Sequence, residues 1–285
     1  MDPRDVPSRP MRGPDRVVRY DDHRDAVIDV FLPRADADGD PPSAPRPTPT
    51  PAVDSLGAGP SPGGAAAPLL MFFHGGFWRQ EWDRTHIRPL AWALAGAGFV
   101  VATAEYRRGA ASWTRMSADV DASLDAVRRL VDDAAPGCTD REVPLVLSGH
   151  SAGGHLAMWA GLRAGPDVVR RIVALAPVTD VGYAARTGMG DNAARDLLGG
   201  EPGDVGEAYA DADVVGLLPG AVPVTLIQGD ADRQVPVEMN RQLSRAVISS
   251  TVDAPFRYVE LPGVDHFALI DPASDAWPTV LRALA

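Results

Sequence analysis

Ser151 lies in the run Ser148-Gly149-His150-Ser151-Ala152-Gly153-Gly154-His155. A serine hydroxyl is a weak nucleophile near neutral pH and needs a base beside it and a backbone that presents it. The spacing Gly149-x-Ser151-x-Gly153, between an apolar run and a helical pattern, provides that presentation: a sharp strand-to-helix turn in which small neighbours let the chain pass close by. The same turn puts Ser151 at a helix amino end, where the dipole favours developing negative charge.

Elimination narrows the base. The histidines are His23, His74, His86, His150, His155 and His266. For a serine on such a turn, the acid and then the histidine follow in chain order. Only His155 and His266 come after Ser151. His155 is one helical turn on and reads as a packing or structural residue, so His266, in the loop Leu261-Pro-Gly-Val-Asp-His266, is the candidate base. The acid that orients an imidazole and stabilises its protonated form is Asp230 or Asp232, both in Gly229-Asp-Ala-Asp-Arg-Gln-Val-Pro236. Asp265 is a weaker candidate, because its adjacency to His266 makes the ring geometry difficult.

Acyl transfer also needs N–H donors for a tetrahedral oxyanion, each worth about 3–4 kcal/mol. One is the N–H of Ala152, after the nucleophile. The others fit the stretch Phe72-Phe73-His74-Gly75-Gly76-Phe77-Trp78, where an apolar run ends in glycines that can turn their N–H groups inward. Gly75, Gly76 and Phe77 are the candidate donors. His74, Trp78 and Tyr183 are the candidate substrate contacts, although packing suits the Trp78 indole at least as well.

These residues must be held by elements. Apolar runs PLLMFFH, FVVATAEY, VPLVLSG, RIVALAP, PVTLIQG and PFRYVEL alternate with helical patterns over 86–97, 113–131, 151–162, 237–249 and 273–285. Short unbroken apolar strands alternating with helices predict a mostly parallel sheet covered on both faces. Before them, RVVRY and AVIDVFL read as a hairpin. Residues 1–14 are expected to be disordered, and 15–285 to form one domain. Within it, 35–68, rich in Pro, Ala, Gly, Ser and Thr, is expected to be a low-complexity insertion. Residues 178–222 should form a lid or cleft wall with one or two short helices, lined by Tyr183, Met189 and Tyr209 or packed by them. Arg107 and Arg108 could bind a substrate carboxylate or pair with nearby aspartates.

The bulk numbers exclude some functions. The chain has 285 residues, net charge −11, and 27 basic residues that are all arginine. Nucleic acid and anionic membrane need a basic face, so neither is expected as a partner. One cysteine, Cys138, allows no internal disulfide and no cysteine-based zinc site. No metal or other cofactor is expected. No run approaches a membrane span, and no apolar leader core precedes the first strand, so a cytoplasmic location is the expectation. The expected partner is a small-molecule substrate; oligomeric state is open, a homodimer included.

From residue 68 to 285 the chain resembles the α/β-hydrolase superfamily. That resemblance implies an α/β-hydrolase fold with a small lid, and an acid three residues before a Val-Pro pair. Val235-Pro236 then selects Asp232 over Asp230. His74-Gly-Gly-Phe-Trp78 is similar to the HGGxW pattern of kynurenine formamidase (arylformamidase). Esterases related to hormone-sensitive lipase carry HGGG, where Phe77 stands here, and often an acidic residue where His150 stands. Small-acyl and feruloyl-type esterases also carry HGGxW-like loops. The resemblance implies a serine hydrolase with Ser151, Asp232 and His266 as its triad. Its implied substrate is N-formyl-L-kynurenine or a related aryl formamide; the alternative is a carboxylesterase for small acyl or aryl esters. A non-catalytic binding protein on the same fold is the remote reading.

Overall fold

The computed structural model describes Arg9 and residues 11–34, 66–250 and 255–285. Most of the expected insertion, 35–65, and most of the first fourteen residues lie outside the described residues.

Eight strands form one sheet: β1 Arg16–Arg19, β2 Val27–Phe31, β3 Leu69–Phe73, β4 Val100–Ala104, β5 Leu145–His150, β6 Val169–Leu175, β7 Val224–Gly229 and β8 Phe256–Leu261, in the spatial order β1-β2-β4-β3-β5-β6-β7-β8. The hairpin β1–β2 is antiparallel and joins β4 antiparallel; every other pairing is parallel. The helices are α1 Arg88–Gly96, α2 Trp113–Ala134, α3 Ala152–Ala164, α4 Val181–Arg186, α5 Met189–Leu198, α6 Gly206–Ala212, α7 Val237–Ile248 and α8 Trp277–Leu284.

Strand periodicity explains the two layers of core. In β3, Leu69, Met71 and Phe73 face the layer made by α2, α3 and α7, whereas Leu70 and Phe72 face α1 and α8. β5 alternates likewise, with Leu145 and Leu147 on one side and Val146 on the other. Because both faces are covered, these strands are apolar at nearly every position, and each fully buried Leu, Val, Met or Phe contributes about 1.5–3 kcal/mol.

Several elements depart from the sequence pattern; the closing helix, expected from 273, begins at Trp277. The helix expected from residue 86 starts at Arg88, after a 3₁₀ turn over Arg84–Ile87 in which Asp83 caps the Thr85 N–H and Glu105 accepts that of Arg84; Pro89, fixed in φ and lacking an N–H, sits in the first turn of α1. Residues 178–222 hold three short helices, α4 to α6, whose apolar sides join the core beside α2 and α3. Arg9 forms a two-point pair with the Asp271 carboxylate, at 2.8 and 2.5 Å. Among the described residues no helix is long and apolar enough to cross a membrane.

Candidate active site

Parallel pairing brings four loops to one edge of the sheet. Ser151 follows β5, His74 follows β3, Asp232 follows β7 and His266 follows β8, so all lie beyond the carboxyl ends of their strands, where open α/β sheets meet their ligands.

Ser151 is the turn between β5 and α3, with φ 57° and ψ −120°. A non-glycine residue held there costs about 1–3 kcal/mol. The turn closes because its neighbours lack side chains: a Cβ on Gly149 would lie 2.1 Å from Gly153 O, and one on Gly153 would lie 2.1 Å from Phe73 O. Ser151 is fully buried, and its Oγ has no hydrogen-bond partner among the described residues.

His266 Nδ1 lies 2.7 Å from Asp232 Oδ2, with both side chains buried. The carboxylate can only accept, so Nδ1 carries the hydrogen and Nε2 is left as the basic nitrogen. Nε2 is itself buried without a partner. Asp232 Oδ1 accepts the N–H groups of Gln234 and Val235 at 2.7 and 2.9 Å. The other two carboxylates do different work. Asp230 accepts the Gly263 N–H at 2.6 Å and braces the loop after β8. Asp265 caps the 3₁₀ turn Phe267–Ile270 through the N–H groups of Phe267 and Ala268.

The glycine loop after β3 runs beneath the serine. A Cβ on Gly75 would lie 3.2 Å from Ser151 Cβ. Gly76 has φ +115°, and a side chain there would strike Trp82 at 2.3 Å. Phe77 and Trp78 continue at φ 50° and 55°. No hydrogen bond to another described residue uses the N–H of Gly75, Gly76, Phe77 or Ala152. Buried N–H groups are nearly always paired, so unpaired donors around a serine form a ready receptor for an anionic oxygen.

Two expected substrate contacts, His74 and Trp78, lie in the buried layer beneath the glycine loop. His74 is fully buried; its Nδ1 donates to Gly75 O at 2.8 Å, and its Nε2 meets Glu105 Oε1 at 2.8 Å. Two facing acceptors favour a protonated ring; burial and then Arg108 oppose it, pushing the pKa down to about 3. Held between Gly75 O and Glu105 Oε1, the buried His74 ring braces the glycine loop. Trp78 is also buried, edge-on to His155 with ring centroids 5.5 Å apart; its positive φ turns the indole into the core. Tyr183 and Met189 are half-buried against the core, and Tyr209 is buried with its hydroxyl donating to Gly200 O. Arg107 pairs with Asp119, its Nε 2.9 Å from Oδ2, and Arg108 pairs with Glu105, so both arginines serve structure.

Several residues of the site region carry little local signal in the sequence. His150 Nε2 donates to His266 O. Glu105 collects His74, Arg84 and Arg108. On the far side of α3, three ring N–H groups converge on the end of α6. Trp113 Nε1 donates to Asp211 Oδ2 at 2.7 Å, Trp159 Nε1 to Asp211 O at 2.6 Å, and His155 Nε2 to Ala212 O at 2.8 Å. Among the described residues no cluster of His, Cys, Asp and Glu could hold a metal ion.

Comparison with known proteins agrees with this architecture. A family model described as BD-FAE matches residues 59–247. Esterase LipC of Mycobacterium tuberculosis is 29% identical over 228 residues, which are 73% of this chain and 55% of that protein; the chain thus spans about half the length of this curated relative. Among solved structures, a truncated carbohydrate esterase from gut microbiota superposes with TM-score 0.72 at 16% identity, covering 96% of this chain and 98% of the other. A propionate-bound thermophilic esterase from the planctomycete Thermogutta terrifontis gives 0.62 at 21%, covering 94% and 91%. With the family model spanning well over half of the sequence, the chain belongs to the BD-FAE family and has the α/β-hydrolase fold.

Proposed function

We propose that the protein is an ester hydrolase for small acyl or aryl esters, working through an acyl-Ser151 intermediate. The observation that carries this reading is the pair of buried, partnerless atoms Ser151 Oγ and His266 Nε2, with the latter left as the unprotonated nitrogen by the Asp232 contact on the opposite ring nitrogen. Buried polar atoms without partners call for an explanation, and a nucleophile and base awaiting a reacting group supply one.

In this mechanism His266 Nε2 takes the Ser151 proton as Oγ attacks the ester carbonyl. The N–H groups of Ala152, Gly76 and Phe77 hold the tetrahedral oxyanion. His266 then protonates the departing alcohol, and a water deprotonated by His266 releases the acid and restores Ser151. Asp232 keeps the imidazole in the right tautomer and stabilises its protonated form.

Relatives support the ester as substrate. LipC is named an esterase; the Thermogutta terrifontis enzyme is described with propionate bound, and also phosphonylated by sarin. The Phe77 ring supports a small acyl group. It lies against α5, where a Cβ on Gly190 would be 2.5 Å from it, so the ring fills space beside the glycine loop.

The same small acyl side suits a formyl group, and the HGGFW stretch favours an aryl formamide as the second reading. An aryl amine leaves readily enough for esterase machinery to cleave it. The deciding experiment gives purified protein p-nitrophenyl acetate and N-formyl-L-kynurenine side by side, with Ser151→Ala as control. Ester turnover lost in the control supports the first reading. Turnover of the formamide alone selects the second, and parental activity in Ser151→Ala removes both.

A further inference from the structure

His266 is not the sole partner of Asp232 Oδ2. Gln228 Nε2 donates to the same oxygen at 2.9 Å. Gln228 Oε1 accepts from Asn240 Nδ2 at 2.7 Å, and that Nδ2 also donates to Pro177 O at 3.0 Å. Asn240 Oδ1 in turn accepts from Thr179 Oγ1 at 2.7 Å. Thr179, Gln228 and Asn240 are all buried.

The orientation of both amides follows from their partners. Pro177 O and the Asp232 carboxylate can only accept, so each amide must present its NH₂ to them. The chain therefore points one way, from the Thr179 hydroxyl through Asn240 and Gln228 to the carboxylate. Aligned donors polarise one another, which strengthens the last bond in the series.

The network also connects to the nucleophile. Pro177 and Val178 follow β6; the Val178 N–H donates to Ser151 O at 3.3 Å, and the Ser151 N–H donates to Leu175 O at 2.8 Å. Hydrogen bonds and two residues of backbone thus run from the turn that carries Ser151 to the carboxylate that orients His266, crossing the ends of β5, β6 and β7. Stability alone gives no reason for this wiring, since apolar groups of the same shape in all these places would be nearly neutral.

We propose that Gln228, Asn240 and Thr179 are positioning residues. They hold Asp232, and through it His266, in register with Ser151, and they touch no substrate. This inference rests on the ester-hydrolase reading above.

The test uses the full chain with Gln228→Leu, Thr179→Val and Thr179→Ser. The readouts are kcat and KM on p-nitrophenyl acetate, the rate of Ser151 labelling by a fluorophosphonate, and the melting temperature. Gln228→Leu is expected to lower kcat and the labelling rate by about 10- to 100-fold, with KM within about twofold. Thr179→Val should lower both rates by about threefold or more, and Thr179→Ser, which keeps the hydroxyl, should recover most of the loss. A purely structural network would lower the melting temperature and leave kcat of the folded protein at the parental value, which overturns the proposal. So would a change confined to KM. If Gln228→Leu does not fold, the two Thr179 variants decide alone. A parent that neither turns over ester nor labels removes the ester-hydrolase reading and this inference with it; an active parent with unaffected variants removes this inference alone.

Discussion

His150 donates its Nε2 hydrogen to the backbone oxygen of His266 across 2.9 Å, and the two rings lie 4.3 Å apart. The residue just before the candidate nucleophile thereby holds the residue that carries the candidate base. Burial, and then the neighbouring His266, push the His150 pKa well below its ordinary value. The ring is therefore neutral and has one N–H to give, and this bond takes it.

Replacing His150 with phenylalanine keeps a ring of similar size and removes that donor. We expect kcat to fall by about tenfold, the equivalent of one neutral hydrogen bond of about 1–1.5 kcal/mol, with the fold retained by circular dichroism. An unchanged kcat would show that the loop after β8 holds its position without His150.

The two aspartates after β7 separate sharply. Asp232→Asn leaves an amide that favours the wrong His266 tautomer, and kcat should drop by about 10⁴-fold. Asp230→Asn still offers an oxygen to the Gly263 N–H, so its effect should stay within about threefold. Steady-state ester hydrolysis by both variants decides between them, and the reverse order would move the acid to Asp230.

Gly76→Ala should be severe: φ +115° suits glycine alone, and the new Cβ would meet Trp82 at 2.3 Å. Loss of both folding yield and activity is expected. Gly96→Ala is the opposite case, an exposed position in the last turn of α1 with nothing within 4 Å of the new Cβ. It should raise stability by about 0.5–1 kcal/mol. Urea unfolding of the two variants tests the contrast.

Acid should weaken the fold before most carboxylates titrate. Burial lowers the pKa of His86 to about 3 and of His155 to about 4, and also holds that of His150 well below its usual value. In the unfolded chain each titrates near about 6.5. Folded pKa values below unfolded ones mean that unfolding takes up protons, so stability is fully present above about pH 6.5 and declines as pH falls toward about 4. With His74, also held near about 3 by burial, four such groups give at most about 5 kcal/mol per pH unit. Urea midpoints at pH 7, 6 and 5 should fall progressively, and equal midpoints would contradict the buried neutral state of these rings.

The sequence showed most clearly what depends on neighbours in the chain. Ser151 and its glycines are a five-residue pattern, and the strand periods of LLMFF and LVLSGH are local too. His266 followed from chain order, whereas Asp232 over Asp230 needed a family pattern, because both stand at the same strand end. The contact between His150 and His266 joins positions 116 residues apart, which no periodicity reports. Gln228 and Asn240 did leave a trace: each is a polar residue within an apolar stripe, one in β7 and one on the buried side of α7. The burial of His74 and Trp78 was not legible, because a strand followed by glycines does not say whether the loop projects outward or folds inward. The positive φ values at Phe77 and Trp78 send it inward.

The grip of three ring N–H groups on the end of α6 has an optical consequence. Trp113 and Trp159 each donate an indole hydrogen to Asp211 in a buried setting. Any detachment of α6 from α2 and α3 exchanges those bonds for water and shifts indole emission to longer wavelength. Two of the six tryptophans thus report on whether α6 is seated on the domain, with no added label.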